Sequence, residues 1–156
     1  MNIQIIAVGQ KMPNWVDLAF DEYAKRLPRQ QSVQLSCIAT ASRKSGQNRQ
    51  KIQQLESGLI KQKIKPGSLL IALDEKGKHW STLEWAAQYR LWLQQVSQVN
   101  FVIGGPDGLD PVLLKQADQK IALGRMTMPH GLARVVLMEQ IYRVWSVVEG
   151  HPYHRE

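Results

Sequence analysis

The sequence predicts an α/β fold, a mostly parallel sheet with helices on both faces. Three observations point there. Short runs rich in Val, Ile and Leu alternate with longer helical segments from end to end. No Pro-rich linker, internal repeat or low-complexity tract divides the chain, and the alternation never breaks into a run of strands followed by a run of helices. Finally, 156 residues at 44% hydrophobic and 21% charged fit one domain, residues 1–156, that can bury a core without disulfides or metal.

The first strand is predicted over Asn2 to Val8, and a helix follows in which Asn14 reads as the N-cap and Asp17 as its N3 acid. Val33 to Ala39 is the second strand. Ala41 to Lys51 is the clear irregular segment, with Arg43, Lys44, Arg49 and Lys51 around Ser45 and Gly46; these residues either meet phosphates or form a solvated loop and first helical turn. Ser68 to Leu73 is the third strand. Ser81 with Glu84 makes a capping box before Leu83 to Val96, a helix whose Trp85, Tyr89, Trp92, Leu93 and Val96 share one stripe. Val99 to Ile103 is the fourth strand. Asp110 before Pro111 starts a short helix to about Ala117, because Asp accepts from the first exposed amides and Pro has no amide to lose at the first helical position. Lys120 to Leu123 is the fifth strand. In the last helix, Leu132 to Val148, the residues Leu137, Met138, Ile141, Val144, Trp145 and Val148 form the main apolar stripe, while Val135, Val136, Tyr142 and Val147 lie outside it. That excess of apolar surface implies a second packing partner, either elsewhere in the chain or across the twofold of a homodimer.

With 20 Lys+Arg against 13 Asp+Glu the formal charge is +7, which favours a polyanionic partner, nucleic acid ahead of a membrane surface. The apolar start Ile3, Ile5, Ile6, Ala7, Val8 lacks the cationic lead and cleavage site of a signal peptide, and no apolar run approaches membrane-spanning length, so a cytoplasmic protein is expected. The lone Cys37 has no Cys or His at metal spacing and reads as a buried structural thiol.

Three segments carry candidate chemistry. Gly104-Gly105-Pro106-Asp107-Gly108 follows the fourth strand directly, at the carboxyl end where open α/β sheets bind ligands. The paired glycines either let backbone approach a ligand or make a tight strand-to-helix turn, with Gly108 able to take positive φ. Neither a Gly-Lys-Ser/Thr signature nor a Gly-x-Gly-x-x-Gly after the first strand is present, which argues against ordinary ATPase and dinucleotide readings and leaves a late ligand loop to explain. Leu123-Gly124-Arg125-Met126-Thr127-Met128-Pro129-His130 mixes apolar side chains with free backbone: it suits an adenine face, or else its methionines are core. The end of the chain, His151-Pro152-Tyr153-His154-Arg155-Glu156, packs two imidazoles, a phenol and a guanidinium into six residues after Gly150, groups that stack on bases, bind phosphate and move protons.

Together with Ala7-Val8-Gly9 and Lys11-Met12, Leu73-Asp74 with Gly77-Lys78, and Tyr142-Arg143, these segments resemble, nearly end to end, the ribosomal RNA large subunit methyltransferase H family. Its members are small SPOUT-type methyltransferases. The resemblance implies a SPOUT fold with a C-terminal trefoil knot, an exception to the rule that chains avoid knots. It implies methyl transfer from S-adenosylmethionine to N3 of a pseudouridine in large-subunit ribosomal RNA, on assembled ribosomes, by a homodimer. By the family pattern the cofactor contacts fall on Leu73, Gly104, Leu123, Gly124, Arg125, Met126, Thr127 and Met128, with Gly105 beside them. Gly124 stands where family members often carry Ser.

Methylating an imide nitrogen requires loss of its proton and in-line positioning against the methyl group. Imidazole exchanges protons near neutral pH, so His130 and His154 are the candidate acceptors, with a structural role the alternative for either. Arg143 and Arg155 can stabilise the developing anion, and Tyr153 offers a stacking face. No metal is required. The rival readings are an RNA-binding module with a degenerate cofactor pocket, and a domain binding another nucleotide.

Overall fold

A computed structural model describes residues 1–42 and 48–155. Its elements run β1 (Asn2–Val8), α1 (Asn14–Ala24), a 3-10 turn (Arg29–Gln31), β2 (Val33–Ile38), α2 (Arg49–Lys61), β3 (Leu69–His79), α3 (Thr82–Gln95), β4 (Gln98–Ile103), α4 (Pro111–Gln116), β5 (Gln119–Ala122) and α5 (His130–Val148). The five strands form one sheet in the order β2-β1-β4-β3-β5, and every neighbouring pair is parallel.

Alternation along the strands explains why both faces carry helices. Ile3, Ile5 and Ala7 of β1, with Val99, Phe101 and Ile103 of β4, pack under α1, α3 and α5. Their neighbours Ile6, Val8 and Val102 point to the opposite face, where Ile60 of α2 and Leu113 of α4 cover them. Trp80, Trp85, Trp92 and Phe101 interlock with ring centroids 5.7 to 6.5 Å apart on the first face. Tilted aromatic contacts of this kind add to the burial of large apolar area.

The expected caps hold at α3 and α4. Ser81 Oγ accepts from Glu84 N at 3.1 Å while Glu84 Oε2 accepts from Ser81 N at 2.7 Å, and Asp110 accepts from Val112 N with Pro111 at the first helical position. At α1 the expectation fails: Pro13 is the N-cap and Asn14 is already helical, so no side chain caps that end. Proline's fixed φ starts this helix, and Asp17 contributes only as a first-turn acid. In α3 the buried stripe is Trp85, Tyr89 and Trp92; Leu93 is exposed and Val96 has left the helix. In the basic stretch, Asn48 caps α2 by accepting from Lys51 N at 2.9 Å, while Arg43, Lys44, Ser45 and Gly46 lie outside the described residues. Cys37 is half-buried rather than buried, its sulfur 3.5 Å from Arg134 Nη1.

β3 is longer than its apolar run. Both Leu73 and Lys78 pair with Ile121 of β5, so Asp74, Glu75, Lys76 and Gly77 loop out of the ladder between them.

Candidate cofactor cleft and C-terminal cluster

The carboxyl ends of β4, β3 and β5 lie side by side, so the loops after them share one wall. Between them is a cleft of about 600 Å³. It brings together Leu73, Gly104, Gly105, Leu123, Gly124, Met126, Thr127, Met128 and His130, all singled out in the sequence. Arg125 is exposed and does not line it. Met126 is 81% exposed, which removes the core reading for that methionine, while Met128 is half-buried at the wall.

The Gly-rich loop is a tight turn closed on itself. Gly108 N donates to Gly105 O at 2.9 Å, and Gly108 sits at φ +76, a conformation that favours glycine. A Cβ on Gly104 would lie 2.8 Å from the Gly108 carbonyl carbon, and one on Gly105 would lie 3.0 Å from Val8 Cγ1. Crowding against backbone therefore demands glycine at Gly104, while at Gly105 a Cβ would press on the Val8 side chain, which must give by a few tenths of an ångström. α2 braces the turn from outside: Arg49 Nε and Gln53 Nε2 both donate to Asp107 O, at 3.1 and 2.6 Å. These contacts, invisible in the sequence pattern, make Gln53 and Arg49 supports of the loop.

Behind the cleft, Arg134 of α5 is 1% exposed. Its Nη2 donates to Val8 O at 3.2 Å and Gly9 O at 2.6 Å, which ties the end of β1 to the helix that follows the second loop.

The remaining candidates gather elsewhere. His130 opens α5 at the cleft, and Arg143 lies thirteen residues along the same helix, about 20 Å away at ~1.5 Å per residue. The tail turns back beside Arg143 at Gly150, φ +69. Tyr153 Oη donates to Glu139 Oε1 at 3.0 Å, and Arg143 Cζ sits 4.7 Å from the Tyr153 ring centroid. His154 Nδ1 faces Arg143 Nη1 at 3.5 Å. Arg155 is exposed. None of these four lines the cleft of its own chain.

Two members of the cluster were not singled out in the sequence. Glu139 accepts Arg143 Nε and Nη2 at 2.9 and 2.6 Å, an i,i+4 acid-to-base pair whose spacing is a readable signal. Arg26 at the end of α1 lies over the rings of Tyr23, Tyr142 and Tyr153 at 5.0 to 5.9 Å, for which no local signal exists. Burial, and then the hydrogen bond to Glu139, push the Tyr153 phenol up to about 12. The hydrogen bond that Arg143 donates to Glu139 likewise raises the guanidinium, which stays a cation.

Residues 1–154 match the family model described as "Predicted SPOUT methyltransferase". The chain belongs to the SPOUT methyltransferase family. Proteins named ribosomal RNA large subunit methyltransferase H from Burkholderia ambifaria, Burkholderia lata and Burkholderia vietnamiensis are each 43% identical to it over 155 residues, 99% of this chain and 99% of theirs. The parallel α/β sheet agrees with the SPOUT assignment. Among the described residues of this SPOUT chain, no group of three or more His, Cys, Asp and Glu is placed to hold a metal ion, and no helix is long and apolar enough to cross a membrane.

Proposed function

We propose that this chain is a cytoplasmic, S-adenosylmethionine-dependent methyltransferase that acts, as a homodimer, on N3 of a pseudouridine in large-subunit ribosomal RNA within the assembled ribosome. The observation that carries the reading is the cleft at the ends of β3, β4 and β5 in a SPOUT chain, similar along its whole length to proteins named as large-subunit ribosomal RNA methyltransferases. Its size lies in the range of small-molecule sites. Leu73 and Met128 offer apolar faces to an adenine, and the peptide groups around Gly104 and Leu123 to Thr127 offer donors and acceptors to its edge and to the amino-acid end. A Cβ on Gly124 would meet no heavy atom within 4 Å, so this wall leaves room beside a ligand.

When bound, S-adenosylmethionine supplies an electrophilic methyl group on a sulfonium. The protein's share is to hold the base in line, keep water out and take the imide proton. His130, at the cleft, and His154, in the tail, are the proton acceptors on offer. Arg143 and Arg155 stabilise the imide anion as it forms. With its phenol held near 12, Tyr153 stays a neutral hydrogen-bond donor and stacking face rather than a base. Within one chain Arg143 and the tail residues docked on it and on Glu139 lie about 14 to 20 Å along α5 from His130 and do not line the cleft, which supports a site completed by the tail of a second copy. Val135, Val136 and Val147, half-buried on α5, and the exposed Leu132 supply apolar surface for that association.

The test combines two measurements. Calorimetry with S-adenosylmethionine is expected to give saturable binding, and ribosomes lacking the modification are expected to gain one methyl group on a pseudouridine, located by mass spectrometry of the RNA. Binding of ribosomal RNA with no measurable affinity for S-adenosylmethionine would favour the RNA-binding module instead.

A further inference from the structure

The looped-out residues of β3 separate two clefts. On one side Asp74, Glu75 and Lys76 line the cofactor cleft; on the other, a smaller cleft of about 200 Å³ is lined by Lys76, Gly77, Lys78, Asp118, Gln119 and Lys120. Lys76 belongs to both. The partition is built into the backbone, because a Cβ on Gly77 would lie 2.6 to 2.8 Å from the backbone of Ile121; only glycine lets the returning segment of β3 rejoin β5 so closely.

The small cleft carries charge that the fold does not use. Lys76, Lys78 and Lys120 are exposed, and among the described residues none has an ion-pair partner within 4 Å. The one carboxylate there, Asp118, is engaged by the backbone: its Oδ2 accepts from Leu70 N at 2.7 Å. Gln119 is turned to Gln88 of α3 at 3.4 Å. Three lysines on one acid leave a net positive concavity on the edge strand of the sheet, next to the cleft where the methyl donor is placed.

We propose that this lysine cleft holds the phosphodiester backbone of the RNA substrate next to the target nucleotide. The inference rests on the functional reading above, in which the substrate is RNA. Lysine is a compact point charge, suited to phosphate oxygens without reading sequence. The loop Asp74 to Gly77 acts as the spacer between the two sites: it keeps the polyanion on its basic side and presents Asp74 and Glu75 toward the cofactor, so a strand lying in the lysine cleft is not drawn over the methyl donor.

Salt dependence tests this, because each phosphate contact contributes about 0.7 to 0.9 to the slope of log affinity against log salt. Large-subunit ribosomal RNA is the binding probe, and Lys78→Ala with Lys120→Ala is the variant; Lys76 is left alone because it also lines the cofactor cleft. The double variant is expected to bind the RNA at least tenfold more weakly at moderate salt, with a slope shallower by about 1.4 to 1.8, and to bind S-adenosylmethionine within twofold of the parent. The paired Lys78→Arg, Lys120→Arg variant should keep the parental slope, which separates charge from folding. An unchanged slope in the alanine variant, beside salt-dependent binding by the parent, overturns the lysine cleft alone. Absence of salt-dependent RNA binding by the parent overturns the RNA reading, and this site with it.

Discussion

Tyr153 and Arg143 meet on a single atom, Glu139 Oε1, which accepts the phenol at 3.0 Å and two guanidinium nitrogens at 2.9 and 2.6 Å. The tail is therefore docked onto α5 through Tyr153 and His154, which are held beside Arg143 before RNA arrives. The second carboxylate oxygen takes Gln140 Nε2 at 2.7 Å, and Gln140 in turn accepts from Thr82 of α3 at 3.0 Å, so the cluster is anchored to two helices.

Replacing Glu139 with Gln keeps the shape and removes the charge. The expected loss is about 1 kcal/mol of stability, small because the pair is part-exposed at the surface. The phenol gives a sharper readout. Its folded value is raised, to about 12 against an ordinary 10, so its contribution to stability is complete below pH ~10 and is lost as pH rises toward ~12. In Glu139→Gln one cause of that elevation is gone. Near-ultraviolet titration of the folded protein should then show Tyr153 ionising earlier, and alkaline loss of stability over this window should shrink. Tyr89, raised to about 12 by burial, should remain late and serves as the internal reference.

Two glycines, Gly77 in the lysine cleft and Gly124 in the cofactor cleft, should respond differently. Gly77→Ala forces a Cβ into the Ile121 backbone and should cost about 3 kcal/mol, seen as a lower denaturation midpoint. Gly124→Ser adds its side chain to open space and should change stability by less than about 0.5 kcal/mol, with S-adenosylmethionine affinity kept or improved. Equal destabilisation by the two would contradict the geometry of the β3 excursion.

Arg134→Met removes a guanidinium that is 1% exposed and leaves the Val8 and Gly9 carbonyls without their donor. A loss of about 3 kcal/mol is expected, since buried acceptors stripped of a charged donor carry the desolvation cost. Equilibrium unfolding in urea measures it; a loss below about 1 kcal/mol would mean that the two carbonyls are satisfied in another way.

The sheet was legible because its strands are short apolar runs bounded by turn residues, and the two ligand loops were legible because they follow such runs directly. The order β2-β1-β4-β3-β5 was not, since periodicity reports which face a residue takes and never which strand lies beside it. The second half of β3 was also hidden: the apolar run ends at Leu73, and only the return of Lys78 to Ile121 reveals a strand that loops out and rejoins. At the site, the loop glycines read equally as ligand contacts or as a tight turn, and crowding against the Gly108 backbone shows that Gly104 is needed for the turn. Arg143 and the tail were picked out by their chemistry; that they sit far along α5 from the cleft follows from helix length once the helix is known to be unbroken from His130 to Val148.

Light scattering should find the protein a dimer at micromolar concentration, and Val136→Glu or Val147→Glu should give monomer or aggregate. Both valines are half-buried within one chain, and Val147 also packs against its own core, so Val136→Glu is the cleaner probe of whatever covers the exposed part. A monomeric parent protein would remove the basis for a shared site.

Complementation between two inactive subunits tests whether the site is shared. Deleting residues 153–156 removes Tyr153, His154 and Arg155 but leaves the cleft walls and the apolar surface of α5 in place, so cofactor affinity and dimerisation should persist. Methylation of ribosomes should fall by orders of magnitude, because the base is no longer positioned. The second subunit carries Gly124→Trp, chosen over a change at Gly105 because Gly124 has open space where Gly105 has Val8 and Glu56 against it. The indole should fill the cleft and abolish cofactor binding while the fold stays intact, which circular dichroism and calorimetry confirm separately. In a mixed dimer, the deleted subunit retains a working cleft and the Gly124→Trp subunit retains a working tail. If a cleft is completed by the partner's tail, isolated heterodimers should recover close to half the parental rate while both homodimers stay inactive. Recovery cannot arise within one subunit, since one lacks the tail and the other lacks a cleft that binds the cofactor. Heterodimers as inactive as the homodimers would show that the two halves do not meet across the twofold, and full activity of the deletion alone would take the tail out of catalysis altogether.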